Sequence, residues 1–177
     1  MKEFIKDLII ALAIVIAITF VIKPTIVKES SMEPNFYENN YLIVFKLAYV
    51  TKDHPDYGDV IVFKSDLDKD DGNGKKLLIK RVIGLPGDTI SIQNGEVYVN
   101  GKKDDQSYTA DGYTTGDMVE HKVPKDALFC MGDNREVSLD SRSEEVGDVE
   151  TGRLVGKVVF RVFPFNKFGV IHNPYEK

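Results

Sequence analysis

From Leu8 to Ile22 the chain reads LIIALAIVIAITFVI, 15 residues without a charge, and no other stretch restricts the possible folds as strongly. Counted from Phe4 the run reaches 19 residues, because Lys6 and Asp7 extend their polar ends toward an interface. A membrane-spanning helix needs about 17–25. A removable secretory signal is the competing reading, but Lys23-Pro24-Thr25-Ile26-Val27 lacks the small-x-small pattern that a cleavage site requires. A retained N-terminal anchor over residues 1–28 is therefore expected, with a separate domain over 29–177. Lys2 and Lys6 before the run balance Lys23 and Lys28 after it, so charge leaves the orientation open.

Beyond the anchor the chain reads mainly as β structure. Tyr41–Val50, Asp59–Phe63, Leu77–Ile83, Leu128–Met131 and Leu154–Val162 are rich in β-branched and aromatic residues. Thr89–Gln93 and Glu96–Asn100 alternate cleanly around Asn94-Gly95, the dipeptide of a type I′ hairpin. Gly101–Asp117 is polar and without period, and reads as a small irregular surface excursion. The charged segment Asp66–Lys76 misses the register of a calcium loop: counting from Asp66, the sixth position is Asp71 and glycine comes one residue late. A solvated loop is expected there.

Acidic residues outnumber basic ones, 28 to 23, which argues against a nucleic-acid footprint. The single cysteine, Cys130, excludes an intrachain disulfide and a thiolate metal cluster. His54, His121 and His172 lie in unrelated polar segments, and no metal or cofactor is expected. The residue that most needs explaining is Lys80. On an alternating strand it shares a face with Leu78 and Val82, while Arg81 points the other way with Ile79 and Ile83. Stripped of water, its amine would titrate low enough to act as a general base. The strand pattern by itself favours a surface lysine protecting an edge strand. Arg81 cannot be that base, because a guanidinium stays protonated. Cys130, inside an apolar strand with no evident histidine, reads as buried. A serine beside a neutral lysine is the remaining nucleophile chemistry.

Four segments, in order, resemble the type I signal peptidases, most closely their compact Gram-positive form. They are Ser31-Met32-Glu33-Pro34, Gly58–Phe63, Lys80–Asp88 (KRVIGLPGD), and Gly132-Asp133-Asn134-Arg135 with Ser138, Asp140, Ser141 and Arg142. The resemblance implies a signal-peptidase-like β domain preceded by one transmembrane helix. It also implies a serine endopeptidase, free of cofactors, that cuts membrane-bound preproteins after small-x-small motifs on the extracytoplasmic face of the cell membrane. By position, Ser31 would be the nucleophile and its N–H an oxyanion donor, with Lys80 the general base. Ser138 would hold the lysine amine, Asp140 and Arg142 would pair behind it, and Met32 would pack near the nucleophile on the substrate side. Ser30 would be only a neighbour. The chain departs from the family pattern at Glu29, at Asn35-Phe36, at Val137, and at Ser143–Val146, which delays Gly147 by two residues. A carboxylate at position 29 near a developing oxyanion would oppose catalysis. The alternative implied by these departures is a weak or inactive homologue that binds signal peptides or assists assembly.

Overall fold

The computed structural model describes residues 1–52, 54–69 and 72–175. Asp70 and Asp71, on which the calcium-loop register turned, lie outside the described residues.

Helix α1 (Lys2–Val21) has a mean hydropathy of 2.5 and buries none of its surface against the rest of the chain, so it is long and apolar enough to cross a membrane. It passes without a linker into β1 (Ile22–Ile26), where the Ile22 N–H still donates to Ile18. The Lys46 N–H and Nζ donate to Val21 and Thr19 carbonyls, tying the helix end to the sheet. Within the expected flank of the anchor, residues 22–26 form a strand of the sheet.

The remaining strands are β2 (Tyr41–Phe45), β3 (Val60–Asp68), β4 (Lys75–Gly84), β5 (Thr89–Gln93), β6 (Glu96–Val99), β7 (Lys102–Lys103), β8 (Met118–Lys122), β9 (Ala127–Met131), β10 (Val149–Glu150), β11 (Leu154–Phe163) and β12 (Gly169–Val170). They form two antiparallel sheets. The larger has the order β1-β2-β11-β3-β4-β9-β10, with β12 also on β11, and the smaller the order β7-β6-β5-β8. β1 is an edge strand, which suits Pro24, since proline has no N–H to give a second neighbour. β11 pairs with β3 through its first residues and follows β2 to its end, with register shifts along the way. Gly156 sits at that shift, where an added Cβ would strike the Phe45 carbonyl. The expected strand 41–50 ends at Phe45, and residues 46–51 turn.

The hairpin at Asn94-Gly95 has φ of 51° and 81°, as a type I′ turn requires. Asn100-Gly101 repeats that left-handed pair between β6 and β7. Three apolar clusters fill the molecule. Met32, Phe36, Val44 and Val62 anchor one; Ile83, Ile90, Phe129 and Met131 a second; Ile61, Phe63, Val82 and Cys130 a third. β4 contributes to all of them. Leu78 and Val82 enter the third, Ile79 packs on the first, and Ile83 joins the second. A central strand covered on both faces buries successive residues, so Lys80 and Arg81 are 1% and 3% exposed on opposite sides of one strand. The edge-strand explanation of Lys80 is thereby excluded, because β3 and β9 flank β4.

Candidate active site

Ser31 sits in a single 3-10 turn, Ser30–Met32, that follows Glu29 and packs against β4. Met32 drops into the first apolar cluster, 1% exposed, and pins the turn from beneath. The Glu33 and Phe36 amides close back on the Ser30 and Met32 carbonyls at 3.1 and 2.8 Å. Among the described residues the Ser31 N–H has no hydrogen-bond acceptor, which leaves that donor for a ligand.

The segment after β9 closes on this turn from behind. Asn134 donates its N–H to the Ser31 carbonyl at 3.1 Å and its side-chain amide to the Ser30 carbonyl at 3.3 Å. Gly132 lies so near that an added Cβ would collide with both the Ser31 carbonyl and the Ser138 hydroxyl. Its N–H donates to Asp140 Oδ2 at 2.9 Å. Arg142 grips the same carboxylate with two donors, at 2.8 and 2.9 Å, and reaches the Arg135 carbonyl at 2.9 Å. Burial pushes the Asp140 carboxyl up, but the bond and charge of Arg142, with the nearby Ser138 hydroxyl and the Gly132 N–H, hold it below the usual carboxylate range. None of the contacts of the buried Ser138 Oγ attains hydrogen-bond geometry, so that hydroxyl is available to another partner.

Among the described residues the Lys80 Nζ makes no hydrogen bond or ion pair, although its backbone is paired with Ile61 in the sheet. Burial drives its amine below the ordinary lysine value, against the opposing pull of Asp140 and Glu29. Asp140 is already paired with Arg142, so the net charge behind the lysine is small. A lowered value enlarges the uncharged fraction of the amine at any given pH, and that is the form that can accept a proton. Glu29 is the exception to this tidy arrangement: its carboxylate lies 3.8 Å from Lys76 and is over half exposed. Its charge is therefore solvated and partly compensated.

Ser31 and Met32 line one end of a cleft of about 1080 Å³. Residues 24–28 along β1 and 76–79 along β4 also line it, with Leu42, Ile43, Val62 and Val162 from the strands between. β1 and β4 are separated by three strands in the sheet yet share one cleft, so the sheet is strongly curled. The cleft runs beside the unpaired edge of β1 and is lined in part by apolar side chains.

Sequence reasoning missed the groups that hold this site in place. Arg81 makes a bidentate pair with Asp133 at 2.8 and 2.6 Å and donates to the Gly58 carbonyl at 2.8 Å. Arg135 donates to Gln106, Thr114 and Tyr108 at 2.7, 2.5 and 2.9 Å. The polar stretch expected as a surface excursion therefore carries a buried arginine's partners: Gln106, Thr109 and Thr114 are 4%, 6% and 0% exposed. Its irregularity is that of a segment shaped around a guanidinium. The only signal for it was the run of polar residues without charge alternation. His121 pairs with Asp148 at 2.9 Å, away from the cleft. Burial pushes the Cys130 thiol well up, so it is no nucleophile.

Residues 1–163 match the profile of a family described as signal peptidase, peptidase S26. The signal peptidase I of Bacillus caldolyticus is 40% identical over 167 residues, covering 84% of each chain. That of Bacillus licheniformis is 34% identical over 176 residues, covering 93% of this chain and 90% of its own. A crystal structure of a signal peptidase I from Enterococcus faecalis V583 aligns with a TM-score of 0.47 at 27% identity, over 59% of this chain and 97% of that one.

Proposed function

The chain belongs to the signal peptidase family, peptidase S26, serine endopeptidases that remove signal peptides, and from that premise we propose that it does so with a Ser31–Lys80 dyad. The observation that carries this is Lys80: a lysine 1% exposed, with no anion bonded to it, on the strand against which the Ser31 turn packs. In the proposed reaction, Lys80 Nζ takes the Ser31 hydroxyl proton as Oγ attacks the scissile carbonyl carbon. The oxyanion accepts the Ser31 N–H, a donor worth about 3 kcal/mol in comparable sites. Lys80 then gives its proton to the leaving amine as the C–N bond breaks. Water attacks the acyl-enzyme, Lys80 again takes a proton, and Ser31 is regenerated. Ser138, with an unengaged hydroxyl, is the group that orients the amine.

The substrate is a preprotein whose residues before the cut lie along the cleft, with small side chains at the first and third positions. The apolar lining from Ile26, Leu42 and Leu78 and the free edge of β1 support this. Helix α1 anchors the enzyme in the bilayer with the β domain on the extracytoplasmic face, so that enzyme and substrate meet at a raised effective concentration. The alternative, a homologue that binds signal peptides without cutting, drew on Glu29 and on the altered motif at Ser143–Val146; the exposure of Glu29 and its pairing with Lys76 weaken the first of these supports. A preprotein in liposomes, incubated with the wild type, Ser31→Ala and Lys80→Ala, decides between them. Product from the wild type and at least a ~10³-fold loss in each variant is expected; product at the variants' background level in all three would leave only the binding role.

A further inference from the structure

The family match ends at residue 163, yet the chain beyond it returns to the back of the site. Asn173 is 8% exposed. Its amide donates to the Tyr57 carbonyl at 2.7 Å and to Asp59 Oδ1 at 3.1 Å, and its own Oδ1 accepts the Tyr175 N–H at 2.9 Å. Between those anchor points lies Gly58, in the left-handed region at φ 77°, where an added Cβ would run into both Asn173 and the Tyr175 ring. The Tyr175 hydroxyl donates to Asp104 and lies 3.4 Å from the Tyr108 hydroxyl.

Two polar routes leave this contact and meet again. Through Gly58, whose carbonyl accepts from Arg81, the first passes to Asp133. Through Tyr108, which accepts from Arg135, the second passes to Gly132, whose carbonyl accepts from the same arginine at 3.1 Å. Both end in the 132–135 segment that buttresses the Ser31 carbonyl and the Asp140 carboxylate.

We infer that Asn173 and Tyr175 form a C-terminal strap of positioning residues, which hold the 132–142 segment in register behind the site by clamping Gly58 and Tyr108. The strap touches neither substrate nor the reacting atoms; it sets the geometry in which they meet. This rests on the assignment of Ser31 and Lys80 above. Because small misplacements of reacting groups lower the rate steeply, its loss reduces turnover more than binding.

The test uses the full-length enzyme in liposomes with Asn173→Ala and Tyr175→Phe, the second of which keeps the ring over Gly58. In each, kcat is expected to fall about ten- to a hundredfold with KM within about twofold, and the backbone amides of residues 132–142 to exchange faster with solvent. Unchanged kcat, a loss confined to KM, or faster exchange confined to the tail overturns the strap. Ser31→Ala is run alongside. If it cuts like the wild type, the dyad assignment falls, while the strap still stands or falls on the kcat and exchange measurements.

Discussion

At the scale of the residue, the proposed chemistry turns on one buried amine. Holding Lys80 without a hydrogen-bond partner costs the fold about 1–3 kcal/mol, which function requires and stability does not. Lys80→Met, near in size and apolar, should therefore abolish cleavage and raise the melting temperature, at about 2–4 °C per kcal/mol for a chain of this size. A lowered melting temperature would contradict the view of Lys80 as a destabilised group. The pH dependence has its origin in the same residue. Its folded pKa lies below its unfolded one, so in the interval between them the unfolded chain binds the extra proton and stability climbs with pH. Activity climbs as well, through the lower of the two values, because the neutral amine is the working form. A cleavage rate flat from about pH 6 to 10, measured where chemistry limits turnover, would be incompatible with Lys80 as base.

At the scale of the element, β4 carries the proposed base, and the segment after β9 packs behind the Ser31 turn. The period of two in Leu77–Ile83 correctly separated Lys80 from Arg81, and the hydrophobic flanks of both correctly suggested a strand. That both faces are covered was not legible, because a half-buried and a fully buried strand differ in their neighbours and not in their own pattern. The same limit concealed the Arg81–Asp133 pair, whose members are 52 residues apart. Gly132 is where this geometry is tightest. Gly132→Ala should lower kcat about a hundredfold, since the new methyl group must displace both the Ser31 carbonyl and the Ser138 side chain. Wild-type turnover in that variant would show that the contact does not align the site.

At the scale of the whole molecule, anchor and enzyme share a strand. β1 begins at the residue after α1 ends, so the helix proposed as the anchor is continuous with a wall of the cleft. A chain beginning at Ile22 should fold and retain the sheet. One beginning at Glu29 loses β1, exposes the edge of β2, and is expected to aggregate and to lose most of its activity. Equal solubility and turnover in the two would mean that β1 contributes nothing to the cleft.

Local order along the chain was enough to specify the apolar N-terminal helix, the Asn94-Gly95 hairpin and the mainly β architecture, because period and turn chemistry are properties of neighbours, whereas Ser31, Ser138, Asp140 and Arg142 were reached through the family resemblance. Only the folded chain decided that Lys80 is central and buried, that Gly101–Asp117 wraps Arg135, and that Asn173 and Tyr175 return to Gly58. Each of these depends on which distant groups exclude water from a given atom, and desolvation is set by the whole packing around it.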